Sequence, residues 1–168
     1  TVWMMSPNLH AGMSGMIAGQ IAQKTSAGIS KNLNDNLIIP TLTIRNSSGA
    51  VNDLALSNDA HLLALLHQDK TVRVWDTQLG VQRPIIPSVD ATKTLPLSTQ
   101  NSVLVGTLQG QVVNYDVLTA KPLYSLISGH DAVIALGLSS DEKQLIVVHK
   151  NGRWVLWNLN TYTKIKEL

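Results

Sequence analysis

The 168-residue chain contains no cysteine and no phenylalanine. Without thiols, disulfides, thiolate zinc sites and cysteine nucleophiles are excluded. The absence does not assign a compartment, because a cysteine-free chain folds equally well in oxidising and reducing surroundings. Aromatics are only 4% of residues, so the core must be Val, Ile and Leu, the residues that buried strands use. Charge is scarce too, at 14% against roughly 25% in ordinary soluble domains. Thirteen basic residues face eleven acidic ones, and they are scattered, with no Lys/Arg run to track a phosphate backbone. Nucleic acid is not an expected partner. A membrane span needs about 20 apolar residues, and His10, Gln20, Gln23 and Lys24 interrupt the N-terminal stretch that comes nearest. The first residue is Thr1 rather than Met, as in a fragment or a processed product.

What the chain has in quantity is repetition. Thr71-Val72-Arg73-Val74-Trp75-Asp76 returns as Gln111-Val112-Val113-Asn114-Tyr115-Asp116 and again as Arg153-Trp154-Val155-Leu156-Trp157-Asn158. The closing acid or amide recurs at steps of 40 and 42 residues, the period of one four-stranded propeller blade. The first and third copies superimpose at a shift of 82, which places Leu54, Leu56, Ser57, Asp59 and Trp75 on Leu136, Leu138, Ser139, Asp141 and Trp157. Leu54-x-Leu56 and Leu136-x-Leu138 carry the period of two of a half-buried strand. The continuous runs Leu62 to Leu66 and Leu145 to Val148 read as central strands buried on both faces. Gln109-Gly110 and Asn151-Gly152 mark hairpin turns that need a positive φ. The middle copy carries three prolines between Pro84 and Thr99, so its first strand is expected to be short or irregular.

Gly129-His130, the Ser-x-Asp turns and Asp69-x-Thr71-Val72-Arg73-Val74-Trp75-Asp76 resemble WD40 repeats, over roughly residues 41–168. The resemblance implies an all-β fold: a partial β-propeller of about three four-stranded blades at 41–87, 88–127 and 128–168. It also implies a blade framework of Asp69, Trp75, Asp76, Tyr115, Asp116, His130 and Trp157. In the family a His, a turn Asp, a Ser or Thr and the Trp form a buried hydrogen-bonded set. Here Ser48 stands at the His position and His67 at the Ser/Thr position of the first copy, while His149 and Asn151 replace the Ser/Thr and Asp of the third. No copy carries the complete set. The middle copy, with Gly106-Thr107, Gly110, Tyr115-Asp116 and Thr119-x-Lys121-x-Leu123-Tyr124-Ser125, is also similar to the PQQ-like repeat of periplasmic propellers. The first resemblance leans to the cytoplasm and the second to the periplasm, which leaves the compartment open.

Residues 1–40 stand outside the repeat. Met13, Met16, Ile17 and Ile21 form one stripe of a helix, which Gly12, Gly15 and Gly19 weaken. Ser26 through Asn36 reads as loop. The segment is expected to be a partly ordered insertion or an amphipathic element that docks on a partner or on an open propeller face. Its glycine spacing matches neither nucleotide-binding pattern. Pro40 and Ile44 align with Pro122 and Leu126, so residues 41–46 read as the outer strand of a preceding blade, and Thr1 to Met4 faintly echo Thr71 to Val74.

No catalytic, cofactor or metal residue emerges. His67 and His149 occupy equivalent positions two blades apart and would not share an ion, and there is no HExxH motif or nucleophile elbow. Closed propellers need about four to eight blades, so three leave apolar faces bare. The chain is therefore expected to belong to a longer polypeptide, to be completed by other chains, or to be capped by its N-terminal segment. The expected function is a non-enzymatic protein–protein interaction scaffold or sensing module, with protein partners, no nucleic acid and no membrane span. The alternative is a periplasmic PQQ-like propeller acting in envelope assembly or within a quinone-dependent enzyme. Contacts should fall on the turns Asn58 to His61, Gln68 to Lys70, Gln109 and Lys150 to Arg153. Arg153, Trp154, Lys70 and Lys150 are the candidate partner residues, since Trp and Arg are enriched at hot spots. The other reading of Trp154 is packing between adjacent blades.

Overall fold

Alternating and continuous aliphatic runs, punctuated by residues that accept a left-handed backbone, fold as thirteen strands among the described residues. The computed structural model describes Thr43 and residues 49–168, and every strand lies in the unit that spans 44–168. The expected helical stripe at Met13 to Ile21, the strand at 41–46, Ser48 and the echo at Thr1 to Met4 fall outside the described residues.

The first blade comprises β1 (Val51–Leu56), β2 (Leu62–His67) and β3 (Thr71–Asp76), with an outer strand split into β4 (Val81–Gln82) and β5 (Ile86–Pro87). The second comprises β6 (Ala91–Leu97), β7 (Ser102–Thr107), β8 (Gln111–Asp116) and β9 (Pro122–Ile127). The third comprises β10 (Val133–Leu138), β11 (Gln144–His149), β12 (Trp154–Asn158) and β13 (Thr163–Glu167). Each is a separate antiparallel sheet running from inner to outer strand in chain order. The described residues thus form an all-β arc of three propeller blades.

Backbone detail repeats with the sequence. In every blade the aromatic of the third strand lies opposite an aliphatic of the second: Trp75 on Leu63, Tyr115 on Val103, Trp157 on Leu145. Each inner hairpin has a register shift at the same place, after Val51, Ala91 and Val133. Positive φ falls on Ala60, Asn101 and Glu142 in the first turns and on Lys70, Gly110 and Gly152 in the second. Only the second and third copies use glycine at that second position, where it adopts this region without steric cost.

The core lies between blades rather than within them. Leu62, Ala64, Leu66, Val72, Val74 and Ile86 of the first blade pack against Val103, Val105 and Val117 of the second. Leu97, Leu104, Val112 and Leu126 of the second pack against Val133, Leu145, Val147, Val155, Trp157 and Leu159 of the third. The second blade therefore packs one face on the first blade and the other on the third.

Two expectations are corrected. The inner strand of the middle copy, β6, is neither short nor irregular; with seven residues it is the longest strand described. Pro96 is tolerated because β6 is the edge strand of its sheet, paired only with β7, and needs no N–H on its free side. Pro84 and Pro87 act instead on the first blade, whose outer strand is broken into two short pieces around Pro84. The alternation of β1 also runs opposite to a half-buried strand: Leu54 and Leu56 are 65% and 52% exposed. Leu54 and Leu56 lie opposite Leu65 and Leu63, on the face of the first blade turned away from the second, and Leu54 also lines an open hollow of about 230 Å³ with Leu95, Ile134 and Leu136.

Candidate interaction surface

The turns are built by local side-chain capping. Asp76 Oδ1 accepts hydrogen bonds from the amides of Gln78 (3.0 Å) and Leu79 (2.9 Å). Asp116 Oδ1 accepts from Leu118 (2.9 Å) and Thr119 (2.7 Å), and Asn158 Oδ1 from Asn160 (2.9 Å) and Thr161 (3.2 Å). Every copy ends on an acid or amide because this side chain has the length to mimic a backbone turn. The Leu79 amide holds Asp76 below the ordinary carboxylate range, and the Thr119 amide does the same for Asp116. Asp76 also pairs with Arg83 at 2.7 Å, which anchors the interrupted outer edge.

The turn after the inner strand is capped alike in the first and third blades. Asp59 accepts from the Ser57 hydroxyl (2.6 Å) and the His61 amide (3.0 Å); Asp141 accepts from the Ser139 hydroxyl (2.6 Å) and the Lys143 amide (3.1 Å). The serine hydroxyls are the main cause of the lowered pKa of both carboxyls.

At the opposite edge of the arc, Asp69 accepts from the Thr71 hydroxyl (2.6 Å) and amide (3.1 Å) and from Arg73 Nη2 (2.9 Å). The Thr71 hydroxyl leads in holding its carboxyl low. Asn151 takes this place in the third blade: its Oδ1 accepts from the Arg153 amide (3.0 Å) and its Nδ2 donates to Asp131 (2.5 Å). Behind these turns His67 and His149 are both buried. Burial, with the neighbouring Arg73 charge, lowers the proton affinity of His67, since a buried imidazole is disfavoured in its charged form.

The blade framework differs from the one the resemblance implies. His130 is exposed rather than part of a buried network. The adjoining Asp131 makes the link instead, its carbonyl accepting from His149 Nδ1 at 2.8 Å and its carboxylate from Asn151. The His149 ring lies against Gly129, where an added Cβ would be 3.3 Å from its Cε1. Correspondingly, the indole N–H groups of Trp75 and Trp157 are buried without a hydrogen-bond acceptor.

Lys70 and Lys150 lie exposed on equivalent turns, but the middle blade separates the blades that carry them. Arg153 is ion-paired with Glu167. Trp154 is half-buried; its backbone pairs in both directions with Leu168, and the Lys166 ammonium sits 5.8 Å from its ring centre. It lies on the opposite side of β12 from Val155 and Trp157, hence on the face turned away from the second blade. Among the described residues no group of three His, Asp or Glu is placed to hold a metal, and no helix is long and apolar enough to cross a membrane.

Sequence reasoning missed the contacts that join blades, although it named Asn58 among the turn residues open to a partner. Asp53 accepts from Lys93 Nζ and the Thr94 amide, both at 2.8 Å. Asn58 Nδ2 donates to the carbonyls of Ser139 (3.1 Å) and Ser140 (3.3 Å), so the first turn reaches the third blade. Glu142 accepts four hydrogen bonds from Ser98 and Thr99. Asp53, Asn58 and Glu142 have no identical counterpart in the other copies, so the period carries no trace of them.

Residues 39–76 match the family model described as WD domain, G-beta repeat. A curated relative, the serine-threonine kinase receptor-associated protein of Gallus gallus, is 31% identical over 134 residues, covering 75% of this chain and 36% of the relative. The structure of the RRP9 WD40 repeats is similar with a TM-score of 0.64 at 16% identity, and that of U3-55K with a TM-score of 0.63 at 17% identity. Each covers 74% of this chain and is itself covered over 40%. The chain thus spans little more than a third of the length of the curated relative it matches. Nothing in these findings supports the quinone-type reading of the middle copy. The chain belongs to the WD40-repeat family.

Proposed function

We propose that this chain is a non-enzymatic protein-interaction scaffold, an arc of WD40-like blades that works within a longer polypeptide or a multi-chain assembly. The observation that carries the reading is the free face of the third blade. Positions equivalent to the wholly buried Leu104, Val112 and Leu126 of the second blade are Ile146, Trp154 and Leu168 in the third. Ile146 is 37% and Leu168 65% exposed. This face repeats the chemistry of one that is covered elsewhere in the molecule, and it would accept a further blade with an aliphatic surface. Trp154 then serves as the packing residue of that interface, and Lys70, Lys150 and the neighbouring turn residues meet a bound partner at the arc's edge.

Solution mass measured by light scattering tests the scaffold reading. Self-association, or a defined complex with a partner, is expected, and Leu156→Asp should abolish it without unfolding the sheets. A parent chain that stays a monodisperse monomer at all concentrations and with candidate partners would contradict the proposal. Charge reversal at Lys70 and Lys150 should weaken partner binding with no change in thermal midpoint.

A further inference from the structure

We infer that the second blade folds with a borrowed cap: Glu142 of the third blade supplies the carboxylate that the β6–β7 turn lacks, and so couples the two blades. The three inner turns are built on one plan. Ser57, Ser98 and Ser139 open them, each accepting at its carbonyl from the left-handed residue three positions on, Ala60, Asn101 or Glu142. In the first and third blades two local devices complete the turn. The serine amide bonds to a carbonyl of the next strand, Ser57 to Leu62 at 2.9 Å and Ser139 to Gln144 at 3.0 Å. The serine hydroxyl bonds to the blade's own Asp59 or Asp141.

The second blade has neither device. Its left-handed residue is followed one position sooner by the strand residue paired with the closing acid: Asn101 directly precedes Ser102, whereas His61 and Lys143 intervene in the other copies. Gln100 stands in place of the turn aspartate. The amide and hydroxyl of Ser98 therefore lack local acceptors, and both go to Glu142 Oε1, at 3.2 and 2.8 Å. The amide and hydroxyl of Thr99 go to Oε2, at 2.9 and 2.5 Å.

Glu142 is 4% exposed, and its φ of +56° is a conformation that disfavours a residue with a long side chain. Burial alone would push its carboxyl up, but the Thr99 and Ser98 donors outweigh burial and hold it below its ordinary value. A buried carboxylate is tolerated when hydrogen bonds replace its hydration. The four donors all come from one turn of the neighbouring blade, so the degenerate copy reaches its native turn only once the third blade is in place.

Residue-resolved amide hydrogen exchange on the full chain tests this, with Glu142→Gly as the main variant. Glycine suits the backbone at 142, so a purely conformational role predicts a more stable protein. A cap predicts the reverse: exchange at Ser98 and Thr99 should accelerate by at least about tenfold, the factor expected for losing charge-assisted hydrogen bonds, while the Leu62 amide of the first blade keeps its rate. Ala60→Gly, at the equivalent position with no side-chain cap to lose, should slow exchange in its own blade. Unchanged or slower exchange at Ser98 and Thr99 in Glu142→Gly would overturn the inference. If that variant does not fold, Thr99→Val removes one donor, and a few-fold acceleration at both amides is then expected; the parent rate would refute the cap.

Discussion

Gly106 marks a close approach of the second and third blades, and Gly106→Ala should be destabilising although its backbone permits any residue. A Cβ at position 106 would lie 2.7 Å from Val133 Cγ1 and 2.9 Å from Val133 Cβ. Val133 is 1% exposed within the interface of the second and third blades. Overpacking of this kind costs about 1–3 kcal/mol, partly offset by the roughly 0.4–1 kcal/mol that Gly→Ala gains through the unfolded chain. The net expectation is a loss of about 1–2 kcal/mol. Val133→Ala alone removes two methyl groups, at about 0.8 kcal/mol each, and leaves a partial cavity, for a loss of about 2–3 kcal/mol. In the double variant the 2.7 Å contact with Cγ1 is gone while the 2.9 Å contact with the retained Cβ persists, so its loss should fall short of the sum of the two single losses. Urea unfolding followed by tryptophan fluorescence measures all three. A coupling energy of at least about 1 kcal/mol is expected, and additivity within about 0.5 kcal/mol would show that the blades do not meet as described.

Three further outcomes are expected. Lys70→Gly should stabilise the protein by about 0.5–1 kcal/mol, read as a raised urea midpoint, because Lys70 adopts φ +67° where the other two copies carry glycine. Asp59, Asp69, Asp76, Asp116, Asp141 and Glu142 all have lowered pKa values in the folded state. Their contribution is present above the unfolded carboxylate range of about pH 4 and is lost as pH falls through the folded values. The urea midpoint should therefore drop below about pH 4, and less steeply in Asp116→Asn, which keeps a cap like that of Asn158 without a titrating group. Burial, with Tyr162 beside it, raises the Tyr124 phenol to about 12. Stability should consequently decline as pH rises from about 10 to about 12, and Tyr124→Phe should remove that slope in alkaline denaturation.

The one-dimensional pattern determined the all-β class, the blade count and the turn chemistry. Each rests on interactions within about forty residues: a Trp or Tyr opposite an aliphatic of the preceding strand, and Asp76, Asp116 or Asn158 capping the next turn. Such contacts repeat whenever the sequence does, so period and residue type suffice to read them. Tertiary structure alone decided what joins one blade to another. It exposed His130 and made Asp131 the partner of His149, moved the effect of Pro84 and Pro87 onto the outer edge of the preceding blade, and turned Leu54 and Leu56 away from the second blade. It also brought Glu142 to Ser98 and Thr99 across more than forty residues. These contacts depend on the angle at which successive sheets pack, a quantity no single repeat encodes, and Asp53, Asn58 and Glu142, which make them, have no identical counterpart in the other copies.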